Sequence, residues 1–112
     1  MRNSLQWTAD PATWTGQFEG EHLGSGVSII FARLEPGKPG PKLHQHPYPE
    51  TFVVRRGKAR FTVGDERVAA AAGDIVVVPA YTPHTFANAG DEVLEMLDIH
   101  PSERFATTWL EE

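Results

Sequence analysis

The sequence predicts an all-β domain, an antiparallel closed barrel or double-sheet jelly roll, and three observations carry that expectation. Ten glycines and nine prolines punctuate the 112 residues at short intervals, and the runs between them are too short for ordinary helices. The apolar runs are bounded by turn signals, as where Gly73-Asp74 precedes Ile75 to Val78 and Pro79 follows it. Strands this short and numerous must each bury a face, and a barrel or two packed sheets is the economical way to do so.

Taken in order, the expected strands are Val27 to Leu34, Lys42 to His46, Thr51 to Arg56, Ala59 to Val63, Arg67 to Ala70, Ile75 to Val78, His84 to Ala87 and Val93 to Ile99. Glu35 to Pro41 is too rich in Pro and Gly to join a ladder and reads as a loop. Gly57 is expected to make a hairpin turn, and Gly64-Asp65 a second tight turn. The alanines of Val68 to Ala72 invite a helix, but Gly73-Asp74 ends the run too soon for one to be stable. In Val93 to Ile99 apolar residues occupy both faces, so alternation does not decide which face is internal.

A chain of this length is expected to form one domain, residues 1–112, with a barrel core of roughly residues 25–100. The formal net charge of -5 argues against nucleic acid or an anionic membrane as partner. Arg55, Arg56, Lys58 and Arg60 form the one basic cluster, and it reads as a solvated turn. With no cysteine, disulfides, thiolate ligands and a cysteine nucleophile are excluded. Met1 to Asp10 has no apolar signal region and no stretch has the length of a membrane span, so a cytoplasmic protein is expected.

The chemistry concentrates in His44, His46, Glu50 and His84. Two residues apart on a strand, His44 and His46 face the same way. Pro47-Tyr48-Pro49 then breaks the ladder, which lets Glu50 return beside the imidazoles at the start of the next run. His84 arrives from a separate segment after the turn Pro79 to Pro83. Three imidazoles and a carboxylate are a borderline-to-hard ligand set, suited to iron, manganese, nickel, cobalt, copper or zinc. If Glu50 faces inward, so do Phe52 and Val54; if His84 does, Phe86 joins them. His22 and His100, outside this pattern, read as surface or hydrogen-bonded structural residues.

The same residues resemble the cupins, small jelly-roll barrels marked by two motifs. His44-Gln45-His46, three residues, Glu50, six residues and Gly57 match the first, although its opening glycine is displaced to Gly37 or Gly40. Gly73, Pro79, His84 and Asn88 match the second, with Tyr81 standing where a turn glycine is expected. The resemblance implies that His44, His46, Glu50 and His84 hold one divalent transition metal. Octahedral coordination would leave two positions for water, substrate or dioxygen.

Three functions follow as expectations. The first is a metal-dependent dioxygenase or related oxidoreductase on a small organic molecule, with Tyr48, Phe52, Val54, Tyr81 and Phe86 shaping the pocket or its mouth. The second is a non-oxidative lyase, isomerase or epimerase, ranked lower because no acid–base pair beyond the motif is visible. The third is a non-catalytic module that binds a metal or a small ligand. A homodimer is expected from Trp7 and Trp14 upstream of the barrel and the run Phe105 to Leu110 downstream, which includes Trp109.

Overall fold

The computed structural model describes residues 5–111; residues 1–4 and 112 of the expected domain lie outside the described residues. Two five-stranded sheets face each other, and every strand pair is antiparallel. The first contains β1 (Gly16–Phe18), β2 (Ser28–Leu34), β4 (Glu50–Arg56), β7 (Ile75–Val78) and β9 (Leu94–His100), in the order β1-β2-β9-β4-β7. The second contains β3 (His44–Gln45), β5 (Lys58–Val63), β6 (Glu66–Ala71), β8 (His84–Asn88) and β10 (Thr108–Trp109), in the order β10-β3-β8-β5-β6. The chain crosses between the sheets repeatedly, which is the jelly-roll pattern. All eight expected strands are present. Two short strands, β1 and β10, and a 3-10 turn at Gly20–Leu23 are additions.

One expected turn is corrected. Gly57 does not close a hairpin, because β4 and β5 belong to different sheets. It is a corner, with φ of 86°, and a Cβ there would lie 2.5 Å from the Val93 carbonyl oxygen. The bulge between Val54 and Arg56 bends β4 into that corner. The hairpin at Gly64 does join β5 to β6 within one sheet.

Alternation along β4, β5, β7 and β9 sends Phe52, Val54, Phe61, Val76, Val78, Leu94 and Met96 between the sheets. Phe52 and Phe61 meet edge to face at 4.9 Å, and Phe86 packs 5.8 and 5.7 Å from them. Each fully buried phenylalanine contributes about 1.5–3 kcal/mol. This plug fills one end of the barrel and leaves the other to polar side chains.

The tryptophans are largely used within the chain. Trp7 and Trp14 pack on Phe31 at 5.9 and 4.9 Å, and Trp14 Nε1 donates to the Met96 carbonyl at 2.9 Å. The Arg55 guanidinium lies 3.8 Å above the Trp14 ring. At the other terminus Trp109 pairs with His44, so β10 covers the free edge of β3. The large apolar residues left exposed include Ile75 and Val77 on the edge strand β7, Trp109 and Leu110. Among the described residues no helix is long and apolar enough to cross a membrane.

Candidate metal centre

Three strand ends build the site. β3 stops after two residues because Pro47 cannot extend its ladder, yet His46 still faces inward and is buried. Glu50 opens β4, and His84 opens β8 directly across from His44. A single donor atom from each of His44, His46, Glu50 and His84 lies within 4.8 Å of the others, and all four residues are buried.

The second nitrogen of each imidazole decides what the site can do. His44 Nδ1 donates to the Lys42 carbonyl at 2.7 Å, His46 Nδ1 to Ala106 at 2.8 Å and His84 Nδ1 to Thr82 at 2.8 Å. A carbonyl only accepts, so these contacts place the hydrogen on Nδ1 and leave Nε2 of the neutral ring as a lone pair. His46 Nε2 and His84 Nε2 lie 3.0 and 3.1 Å from Glu50 Oε1. The His46 contact is short but off the line of a hydrogen bond, leaving this buried nitrogen without a partner. Without an ion, nitrogens this close to a carboxylate take up a proton, as where His84 Nε2 hydrogen-bonds Glu50 Oε1 at 3.1 Å, and a divalent ion takes the place of those protons. The residues present therefore fit a divalent ion, and His44, His46, Glu50 and His84 could hold it.

In the metal-free chain, protons do the work that an ion would do. Burial alone would raise the Glu50 carboxyl, but the imidazoles of His100, His46 and His84 hold it well below the usual carboxylate range. Burial opposes protonation of His46, yet the Glu50 carboxylate and the Ala106 carbonyl outweigh it and raise its pKa. For His44 burial dominates, and the neighbouring imidazoles of His84 and His46 lower it further despite the Lys42 carbonyl. A neutral His44 is the form that ligates.

Two polar residues of the site escaped the motif. His100, expected to be a surface or structural residue, is 2% exposed, with Nε2 3.0 Å from Glu50 Oε2 and Nδ1 2.6 Å from the Tyr48 hydroxyl. That hydroxyl also accepts the Ala106 N–H at 3.1 Å. His100 Nε2 thus stands beside Oε2, like His46 Nε2 without a hydrogen bond, and leaves Oε1 toward His46 and His84. Asp98, two residues earlier on the same inner face of β9, is 4% exposed and its Oδ1 has no hydrogen-bond partner. Burial, reinforced by the charge of Glu50, pushes its carboxyl well up. The sequence signal was the two-residue step from Asp98 to His100, hidden by apolar residues on both faces of the run and by ending the expected strand at Ile99.

A cavity of about 400 Å³ opens onto this cluster. His44, His46, Glu50, Asp98 and His100 supply its polar lining, and Phe52, Phe86, Ile30, Phe105 and Trp109 are among its apolar walls. Of the expected pocket residues, Phe52 and Phe86 line it. The other three are not among its lining residues: Val54 is deeper in the core cluster, Tyr48 stacks on His46 at 5.2 Å, and Tyr81 is 66% exposed. Tyr81 nevertheless takes the backbone conformation of the glycine it replaces, with φ of 58°, while its N–H donates to the His46 carbonyl at 2.7 Å.

The flanking motif positions have structural tasks. A Cβ on Gly40 would fall 1.9 Å from the Phe86 carbonyl oxygen, so close backbone approach requires glycine there. Asn88 donates to the carbonyls of Leu34 and Glu92 at 2.9 and 2.8 Å and accepts the Gly90 N–H at 2.9 Å.

The sequence profile of the cupin domain matches residues 30–100. The chain belongs to the cupin domain family. Among solved structures, this cupin is similar to an oxalate decarboxylase studied for its substrate binding mode and reaction specificity, at 28% identity and a TM-score of 0.77 over 84% of this chain and 27% of that one. It is also similar to Bacillus subtilis oxalate decarboxylase studied for its Mn(II) centres, at 32% identity and a TM-score of 0.72 over 77% of this chain and 24% of that one. The chain spans about a quarter of the length of these relatives. No curated protein matches the chain. The His/Glu cluster and the manganese-containing relatives support a divalent transition metal as cofactor, and the donor set accepts more than one such ion.

Proposed function

We propose that this cupin holds one divalent transition metal through His44, His46, Glu50 and His84, and uses it to bind and transform a small organic acid in the adjoining cavity. The observation that carries the reading is the convergence of the imidazoles on Glu50, with each Nδ1 committed to a backbone carbonyl. A bound ion of this kind supplies Lewis-acid polarisation of a substrate oxygen and, where redox-active, electron transfer. The chain's own residues do the rest. The backbone carbonyls orient the imidazoles, Tyr48 positions His100 beside Glu50, and Phe52, Phe86 and Trp109 give the cavity apolar walls.

Among reaction classes we place non-oxidative lysis first. The likeness to oxalate decarboxylase supports it. Asp98 and His100 also supply ionisable groups beyond the motif, whose expected absence counted against non-oxidative chemistry. Dioxygenase or related oxidoreductase chemistry is the second reading, favoured by a set of four protein donors, which in octahedral coordination would leave two positions free. Protein loaded separately with manganese, iron, cobalt, nickel, copper and zinc would be tested on small carboxylic acids, catechols, flavonols and diketones, with and without oxygen. Turnover of an acid under strictly anaerobic conditions is the expected result. Turnover only with oxygen uptake would move the assignment to the second reading, and inactivity throughout would leave a binding module.

We also propose a homodimer, supported by Ile75 and Val77 on the unpaired edge of β7 rather than by the tryptophans, two of which pack within the chain. A monomer by light scattering at micromolar concentration would remove it.

A further inference from the structure

We infer that Asp98 is a ligand-binding residue, whose carboxyl group hydrogen-bonds a second oxygen function of a small organic acid held at the metal centre. The inference rests on the metal reading above and adds the substrate feature that the cavity selects.

Three buried acids stand between or beside the sheets among the described residues: Glu50, Glu95 and Asp98. Glu50 faces three imidazoles, and Glu95 faces the guanidinium groups of Arg33 at 3.7 Å and Arg55 at 3.3 Å. Among the described residues Asp98 meets neither a cation nor a donor, and its Oδ1 is unpartnered. The antiparallel register sets it between Ile30 of β2 and Phe52 of β4, both apolar and both on the cavity wall. A carboxyl group in such surroundings, with Oδ1 unpartnered, is a net loss to folding. An apolar side chain of similar size would fill the same place without that loss. The group is therefore placed for a partner that enters the cavity.

The chemistry of that partner follows from the lining. Among the described residues no lysine or arginine lines the cavity, so an anionic charge is compensated at the metal end. Set between Ile30 and Phe52 with Oδ1 unpartnered, Asp98 is favoured as the neutral carboxyl, which offers one O–H donor and an acceptor oxygen. Such a group complements a carbonyl, hydroxyl or second carboxyl oxygen, and binds a carboxylate oxygen through a short charge-assisted bond. About 400 Å³ is at the small end of ligand cavities, which confines the ligand to a short acid.

The test uses manganese-loaded full-length protein titrated calorimetrically with azide, acetate, pyruvate, malonate and succinate. Wild type is expected to bind at least one of the two-function acids about tenfold or more tightly than acetate. Asp98→Leu should lower that affinity by about tenfold or more, leave azide binding and metal content unchanged, and raise the melting temperature. Asp98→Asn, which keeps a donor, should retain the acid within about threefold. If Asp98→Leu does not fold, Asp98→Ala carries the same affinity comparison. A wild type that treats two-function acids like acetate, a variant that loses azide and acid equally, or an Asp98→Asn that binds the acid much more tightly than wild type overturns the assignment. Absence of metal from wild type removes the metal reading itself, and is seen before any titration.

Discussion

The cavity's two polar walls solve the burial of charge in opposite ways. On the wall made by the ends of β3, β4 and β8, every imidazole has its Nδ1 bonded to a carbonyl, and Glu50 lies within 3.1 Å of three rings. On the β9 wall, His100 is tied to Tyr48 and stands beside Glu50, while Asp98 two residues away has no partner for Oδ1. One wall thus converges its nitrogens on Glu50, as an ion requires, while the other turns a carboxyl toward the cavity. An unsatisfied buried group marks where a partner comes from outside, an ion for His46 Nε2 and a ligand for Asp98 Oδ1.

Breaking the first wall should have the largest effect. His44→Ala or His84→Ala removes a donor from a four-donor set, and metal affinity is expected to fall by about 100-fold or more. Equilibrium dialysis against manganese or zinc measures it, and substitution of Asp98 should not move it. In the metal-free protein, Glu50→Ala leaves three buried imidazoles without their carboxylate, and urea denaturation should show a loss of about 3–5 kcal/mol.

Titration of the metal-free protein sharpens the contrast. The Glu50 pKa is lower in the folded chain than its ordinary 4.5, so its stabilising contribution is complete above that value and declines as pH falls below it. His46 is raised in the fold, so its contribution is complete below 6.5 and is lost as pH rises through its higher folded value. Metal-free protein should thus lose stability on both the acid and the alkaline side, and denaturation midpoints across pH would check it. Metal loading should weaken this dependence, because the ion replaces the protons. The smallest expected effect is at Tyr48. Tyr48→Phe removes the hydroxyl that His100 Nδ1 and the Ala106 N–H share, costing about 1 kcal/mol with metal content retained.

The two walls also differ in how far they could be read from the sequence, for a physical reason. His44, His46, Glu50 and His84 sit at strand ends marked by Pro47, Pro49 and Pro83, so local spacing exposed them. β9 is a central strand flanked by β2 and β4 and apolar on both faces, because the outer face is covered by Trp14. Alternation therefore could not pick out Asp98, and His100 was one residue past the expected end. The corner at Gly57 read as a hairpin because a turn residue does not reveal which sheet receives the next strand. Gly40 was noted as misplaced for its motif, yet it meets Phe86 of β8 too closely for any side chain, a contact distant in sequence. Strands β1 and β10 are three and two residues long and owe their pairing to the sheets they join.

Elemental analysis of the protein purified without chelators or an affinity tag tests the metal centre most directly. Wild type should carry close to one divalent transition metal per chain, retained in Asp98→Leu and lost in His44→Ala. A metal-free wild type that also fails to take up manganese, iron, cobalt, nickel, copper or zinc would contradict it.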